Sequence, residues 1–176
     1  MIGPDARLDL QRRARLGMVE AVWGQHKTAE QIVAVLQGFA SAGEVALVTR
    51  VEPDKAAQVF KVLPDVVFHP DARCITYGTI PQNPAPPADV VVLSGGSSDR
   101  TVVAEVTLAL RCHGIGVQAV MDVGVAGLHR LLDQLPKLTD ARVLIACAGM
   151  EGALPTVLTG LVPQPVIGVP VSVGYG

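Results

Sequence analysis

The back half of the chain is punctuated by short apolar runs at near-regular intervals: Val90-Val-Val-Leu93, Val117-Gln-Ala-Val120, Val143-Leu-Ile-Ala146 and Val166-Ile-Gly-Val169. Apolar runs of this length, bounded by glycine, proline and small polar residues, predict strands buried on both faces. Between them, Thr101 to Cys112 and Gly127 to Leu135 have the length and periodicity of crossover helices, and Gly152 to Leu161 is a shorter third. Strands alternating with helices form consecutive βαβ units and a parallel sheet. In such sheets ligands collect at the carboxyl ends of the strands. The loops after Leu93, Val120, Ala146 and Val169 are therefore where chemistry is expected.

The front half follows a different pattern. Thr28 with Gln31 three residues on forms a capping box, and Ile32, Val35, Leu36 and Phe39 then recur at helical spacing. Val45 to Val48 reads as a strand, Pro53 opens a helix at its first turn, and Val66 to Phe68 and Cys74 to Tyr77 read as further strands. Four prolines between Gly78 and Ala88 forbid a helix and favour an extended connector. The expected organisation is a small α+β module over residues 1–80, a proline-rich linker over 81–88 and an α/β domain over 89–176.

Composition refines this picture. Hydrophobic residues make up 49% of the chain and charged residues 17%, with few aromatics, so Val, Leu, Ala and Ile fill the core of a globular protein. A net charge of -2 gives no electrostatic reason to expect nucleic acid or an anionic membrane as partner. Asp5, Arg7 and Asp9 stand where a signal peptide needs an apolar run, and Pro163, Pro165 and Pro170 interrupt the most hydrophobic stretch. Cys74, Cys112 and Cys147 are odd in number, far apart and without a CxxC pair. They suggest neither disulfides nor zinc, and the expected location is a reducing cytoplasm.

Three of the edge loops carry candidate chemistry. Ser94-Gly-Gly-Ser-Ser-Asp99 precedes a helix directly, and small residues at a helix start make a cradle for phosphate or carboxylate, with Ser97, Ser98 and Asp99 as candidate contacts. The plainer alternative is that Ser98 or Asp99 caps the helix. In the second loop Asp122 stands at the strand end and His129-Arg130 near a helix start. Arg offers a bidentate fork for anions and His titrates near neutral pH, although a solvated surface pair would look the same. Asp122 must cap, pair or act. The third loop sets Glu151 among glycines beside Gly149 and Met150, where a carboxylate can serve as a general base or bind a metal. Cys147, between apolar neighbours, reads as a buried small hydrophobe rather than a nucleophile. Arg12, Arg13 and Arg15 read as a solvated face, and His26, Lys27, His69 and His113 show no metal-ligand spacing.

Taken in order, these loops closely resemble the LarB family, relatives of PurE, the aminoimidazole ribonucleotide carboxylase or mutase. The similarity extends to Pro165-Val-Ile-Gly-Val-Pro-Val-Ser-Val-Gly-Tyr-Gly176 and, in the front module, to Lys27-Thr-Ala-Glu-Gln31, Val48-Thr-Arg-Val51 and Ala72-Arg73. PurE proteins read Gly-Gly-Ala-Ala-His-Leu-Pro in the third loop. This chain reads Gly149-Met-Glu-Gly-Ala-Leu-Pro155, with Ala153 at the histidine position and an acid at Glu151, which favours LarB.

The resemblance implies a flavodoxin-like (PurE-like) three-layer sandwich. It implies carboxylation of the pyridinium ring of nicotinic acid adenine dinucleotide with CO2 as co-substrate, and hydrolysis of the phosphoanhydride to release AMP, on the way to a nickel-pincer nucleotide cofactor. Asp122, Glu151 and His129 are the implied catalytic candidates. Ser97, Ser98, Asp99, Arg130, Gly149 and Met150 are the implied substrate contacts. Mg2+ is compatible with this chemistry, no tightly bound organic cofactor is expected, and the PurE-like octamer makes a homo-oligomer the expected assembly. The family continues for several tens of residues past Gly-Tyr-Gly and carries its nucleophilic cysteine there, so the chain reads as lacking its C-terminal end. A PurE-like ribonucleotide carboxylase or mutase and a non-catalytic nucleotide-binding fragment stand as the alternatives.

Overall fold

A computed structural model describes residues 8–173, which divide into two compact units, one ending at Pro81 and one beginning at Gln82. In the first unit a short helix α1 (Arg12–Leu16) precedes β1 (Ala21–Trp23), α2 (Ala29–Ser41), β2 (Ala46–Thr49), α3 (Pro53–Val62), β3 (Val67–His69) and β4 (Cys74–Tyr77). The strands form one mixed sheet in the order β1-β2-β4-β3, with β1 parallel to β2 and the other neighbours antiparallel. Both halves of the expected capping box form at α2: the Thr28 hydroxyl accepts the Gln31 N–H, and the Gln31 side chain accepts the Thr28 N–H. Ile32, Val35, Leu36 and Phe39 turn inward and pack on Ala46, Val48 and Ile75 of the sheet and on Val59 of α3. Pro53 stands in the first turn of α3, where its missing N–H has no helical partner to lose.

The second unit is a mixed α/β fold around an all-parallel sheet of β5 (Val90–Ser94), β6 (Val117–Val120), β7 (Val143–Ala148) and β8 (Val166–Pro170), in the order β6-β5-β7-β8. β5 is buried along its whole length. Val90 and Val92 join Val103 of α4 (Arg100–Cys112) on one face. Val91 and Leu93 join Leu131 of α5 (Leu128–Leu132) and Leu154 and Leu158 of α6 (Ala153–Thr159) on the other. That is the three-layer, flavodoxin-like arrangement of PurE-like proteins. The chain runs from β5 outward to β6 and then returns across β5 to β7, so the strand order reverses at β5/β7 and opens a crevice at their carboxyl ends.

Two helices are shorter than the sequence pattern suggests, and the one expected over Gly152 to Leu161 is α6, Ala153–Thr159. The helix expected over Gly127 to Leu135 is only α5, flanked by 3-10 turns at Val125–Gly127 and Leu135–Lys137. Pro136 cannot donate to the Leu132 carbonyl one turn back, so the α-helix stops there. Among the described residues no helix is long and apolar enough to cross a membrane.

Candidate active site

The loops leaving the carboxyl edge of the parallel sheet are tied together through their main chains. Ser94, wholly buried at the end of β5, accepts the Asp122 N–H on its hydroxyl and the Val123 N–H on its carbonyl, each at 2.9 Å. The Gly95 N–H donates to the Cys147 carbonyl at 3.0 Å. A Cβ on Gly124 would stand 2.3 Å from the Gly95 carbonyl oxygen, so the first and second loops meet at a distance that only glycine permits. The third and fourth loops meet in the same way. The Met150 N–H donates to the Val173 carbonyl at 3.0 Å, and a Cβ on Gly149 would stand 1.9 Å from that oxygen.

Between these loops lies a cleft of ≈ 250 Å³. It is bordered by six of the residues singled out from the sequence: Ser98, Asp99, Arg130, Gly149, Met150 and Glu151. Asp122 reaches the cleft only through Arg130, whose Nη1 donates to Asp122 Oδ2 at 2.5 Å. Ser97 and His129 are exposed and do not border it. Ala153, singled out as the departure from the PurE pattern, and Gly95 of the first loop also line it, while sequence reasoning gave no role to Gly124, Val125, Ala126 or Leu154, which are part of the wall as well. The one signal for Gly124 was a glycine set between two valines, which is weak until its neighbour across the loop is known.

Each charged group has a defined setting. Asp99 is only 4% exposed, and its Oδ2 accepts the Gly96 N–H at 2.9 Å, so the carboxylate folds back to hold the turn that enters α4. Arg130 is held from two sides. Asp122 grips one terminal nitrogen, and the guanidinium lies directly on Gly127, where a Cβ would come within 2.6 Å of Nε. Asp122 itself adopts a left-handed φ of 59°, a conformation Asp tolerates better than most residues. An ion pair this open to solvent contributes about 1 kcal/mol or less, so what it provides is orientation of the fork. Glu151 is exposed and borders the cleft.

Cys147 lies beneath this edge with no exposed surface. Burial, and then the nearby charge of Asp99, pushes its thiol up to about 11. It is protonated at neutral pH and unsuited to nucleophilic attack. Cys74 and Cys112 are also buried. Among the described residues no three His, Cys, Asp or Glu side chains come together as a metal site. The arrangement can hold an anion on a preset guanidinium, exclude water with Val125, Ala126 and Leu154, and present a carboxylate from Glu151.

Comparison with known proteins agrees with this architecture. Residues 2–79 match the LarB/PurE-like N-terminal domain, and residues 89–175 match the AIR carboxylase family. An uncharacterized protein of Methanocaldococcus jannaschii is 32% identical over 177 aligned positions, covering 97% of this chain and 69% of its own length. The N5-carboxyaminoimidazole ribonucleotide mutase of the same organism is 33% identical over 86 residues, covering 47% of this chain and 52% of its own length. With both halves matched in order and a relative aligned along nearly the whole chain, the protein belongs to the LarB family of PurE-like proteins.

Proposed function

We propose that the protein carboxylates the pyridinium ring of nicotinic acid adenine dinucleotide with CO2 and cleaves its phosphoanhydride to release AMP, as a cytoplasmic step of nickel-pincer cofactor biosynthesis. The observation that carries this reading is Ala153 on the cleft wall, where the PurE pattern has a histidine. Relative to that pattern the cleft loses an imidazole and gains the carboxylate of Glu151 two residues earlier. That combination suits removal of a ring proton after carboxylation better than proton shuffling on an aminoimidazole.

A cationic ring is too electron-poor to attack CO2. Addition of the cysteine thiolate that the LarB resemblance implies, which is none of Cys74, Cys112 or Cys147, first converts it to an enamine, whose carbon forms the new bond to CO2. Loss of the ring proton to Glu151 and expulsion of the sulfur then restore the aromatic ring. Arg130, oriented by Asp122, binds a phosphate, and Ser98 with the Gly96–Asp99 turn supports it. Cys147 takes no part as the sulfur nucleophile, because its thiol is buried and protonated. A homo-oligomer assembled around the parallel-sheet unit belongs to the same proposal, as does the absence of any tightly bound organic cofactor.

The test supplies the full-length protein with the dinucleotide and labelled bicarbonate and follows both AMP and labelled pyridinium product. Glu151→Gln is expected to lower label incorporation by about 100-fold or more. Turnover of aminoimidazole ribonucleotide with none of the dinucleotide would replace this reading with the second one, favoured by the similarity to the ribonucleotide mutase.

A further inference from the structure

The first unit contains a second rigid edge that the proposed reaction does not use. β1 and β2 form the one parallel pair of their sheet, and both end where a helix begins: β1 runs through a five-residue turn, Gly24 to Thr28, into α2, and β2 runs through Arg50 to Glu52 into α3. At the end of β1 stands Trp23, the chain's single tryptophan, 56% exposed. The His26 ring meets it edge-on with centroids 5.4 Å apart, and the Arg50 guanidinium lies 5.9 Å from the indole centroid. Lys27 follows in the same turn.

Several devices keep the edge rigid. The Gly24 N–H donates to the Thr49 carbonyl at 2.8 Å, and a Cβ on Gly24 would lie 2.7 Å from a Val48 methyl, so the turn packs against β2 with no room for a side chain. Lys55 Nζ reaches back from α3 to the carbonyls of Gly24 and Gln25, at 3.0 and 2.9 Å. Arg50 and Arg73 both hold left-handed backbones, with φ of 54° and 51°, and the Val51 N–H donates to the Arg73 carbonyl at 2.7 Å. Left-handed non-glycine residues persist where the surroundings over-determine them, and they concentrate at ligand-holding sites. The carboxylate of Glu52 pairs with Arg73. Glu30 and Asp54 lie in the first turns of α2 and α3; Arg50 is the cation over the indole, and Lys27 stands in the turn that follows it.

An indole left 56% exposed, with a guanidinium over the ring and a lysine in the adjoining turn, can accept a planar ring by stacking and an anion by charge-assisted hydrogen bonds. We propose that this edge, formed by Trp23, His26, Lys27 and Arg50, is a nucleotide-binding site, stacking a base on Trp23 and holding its phosphate with Lys27 and Arg50. Its residues all belong to the first unit and those of the Arg130 cleft to the second, and it stands whether or not the proposed reaction does.

Because Trp23 is the single tryptophan, intrinsic fluorescence reports this site directly. Titration with AMP is expected to quench it saturably, whereas adenosine or inorganic phosphate alone quenches only at much higher concentration. Lys27→Gln and Arg50→Asn, the latter chosen because Asn tolerates a left-handed backbone, should each raise the half-saturating AMP concentration by roughly tenfold. Arg50→Lys should recover part of the loss, with circular dichroism matching the parent protein in every case. Arg130→Ala should leave the quench in place. Absence of saturable quenching, equal quenching by adenosine and AMP, or indifference to both cation substitutions would overturn the proposal. Loss of the quench in Arg130→Ala alone would overturn it as well.

Discussion

The position of the Arg130 charge is set by neighbours rather than by the side chain's own preferences. Asp122 grips one terminal nitrogen, Gly127 supplies a flat floor, and the buried Ser94 hydroxyl holds the Asp122 N–H. Replacing Ser94 with Ala removes an acceptor from a partly buried N–H, so urea unfolding should show a loss of about 1–3 kcal/mol, with weaker anion binding at the cleft. Asp122→Asn preserves shape and backbone tolerance but removes the charge that orients the fork. Phosphate affinity there should fall while the unfolding midpoint changes little, because exposed pairs contribute about 1 kcal/mol at most. Cys147 supplies a pH test. Its thiol is raised from 9.0 to about 11 by burial and then by Asp99, so the fold favours the neutral form. That stabilisation is complete below pH 9.0 and is lost as pH rises through about 11. The stability difference between the parent and Cys147→Ala should therefore be flat at neutral pH and change across this alkaline window. A thiol reagent should modify Cys147 in the folded protein only slowly.

At the scale of elements, local chemistry decides what could be read in advance. The capping box of α2 is written in Thr28 and Gln31 and is found with both hydrogen bonds, so Thr28→Ala should cost about 1 kcal/mol in thermal or urea unfolding. β5 and β7 were legible because a strand buried on both faces must be apolar throughout; β6 and β8 carry similar runs but, at the two ends of the strand order, leave Gln118, Ala119, Ile167 and Gly168 exposed, so the expectation of burial on both faces fails for them. β1 (Ala21–Trp23) gave no such signal: it is three residues long, exposed at both ends, and exists by pairing with β2. Likewise α1 (Arg12–Leu16) has no buried residue and follows no apolar period. Arg13 pairs with Glu44 and Arg15 with Asp9. Of the candidate site, the residue types in each loop were legible, but which loops touch was not. That Ser98, Arg130 and Glu151 border one cleft while Ser97 and His129 do not follows from the strand order and from helix starts that shift by a residue or two.

The whole molecule joins two units, each with its own core: one between a mixed sheet and α2 with α3, the other on the two faces of a parallel sheet. In the second unit β8 is an outer strand with Ile167 52% exposed, and unprotected apolar edges are normally covered. If the proposed homo-oligomer forms through the parallel-sheet unit, sedimentation of the full-length protein at micromolar concentration should give a species larger than a monomer. A monomer alone would remove that part of the proposal.

The glycine contacts at the cleft have a consequence for how its variation should be interpreted. Where Gly95 faces Gly124 and Gly149 faces Val173, a bound molecule meets peptide groups as much as side chains, so much of the recognition surface is encoded by residues that have nothing to mutate away. A saturation scan scored on ligand binding should therefore be inverted relative to an ordinary site. Truncating a lining side chain such as Met150 should be mild, while adding a single methyl at Gly124 or Gly149 should be severe, with about 1–3 kcal/mol of overpacking at each. Relatives that have exchanged most of their lining side chains could still shape the same cavity, and their kinship in ligand would be visible first in their glycines.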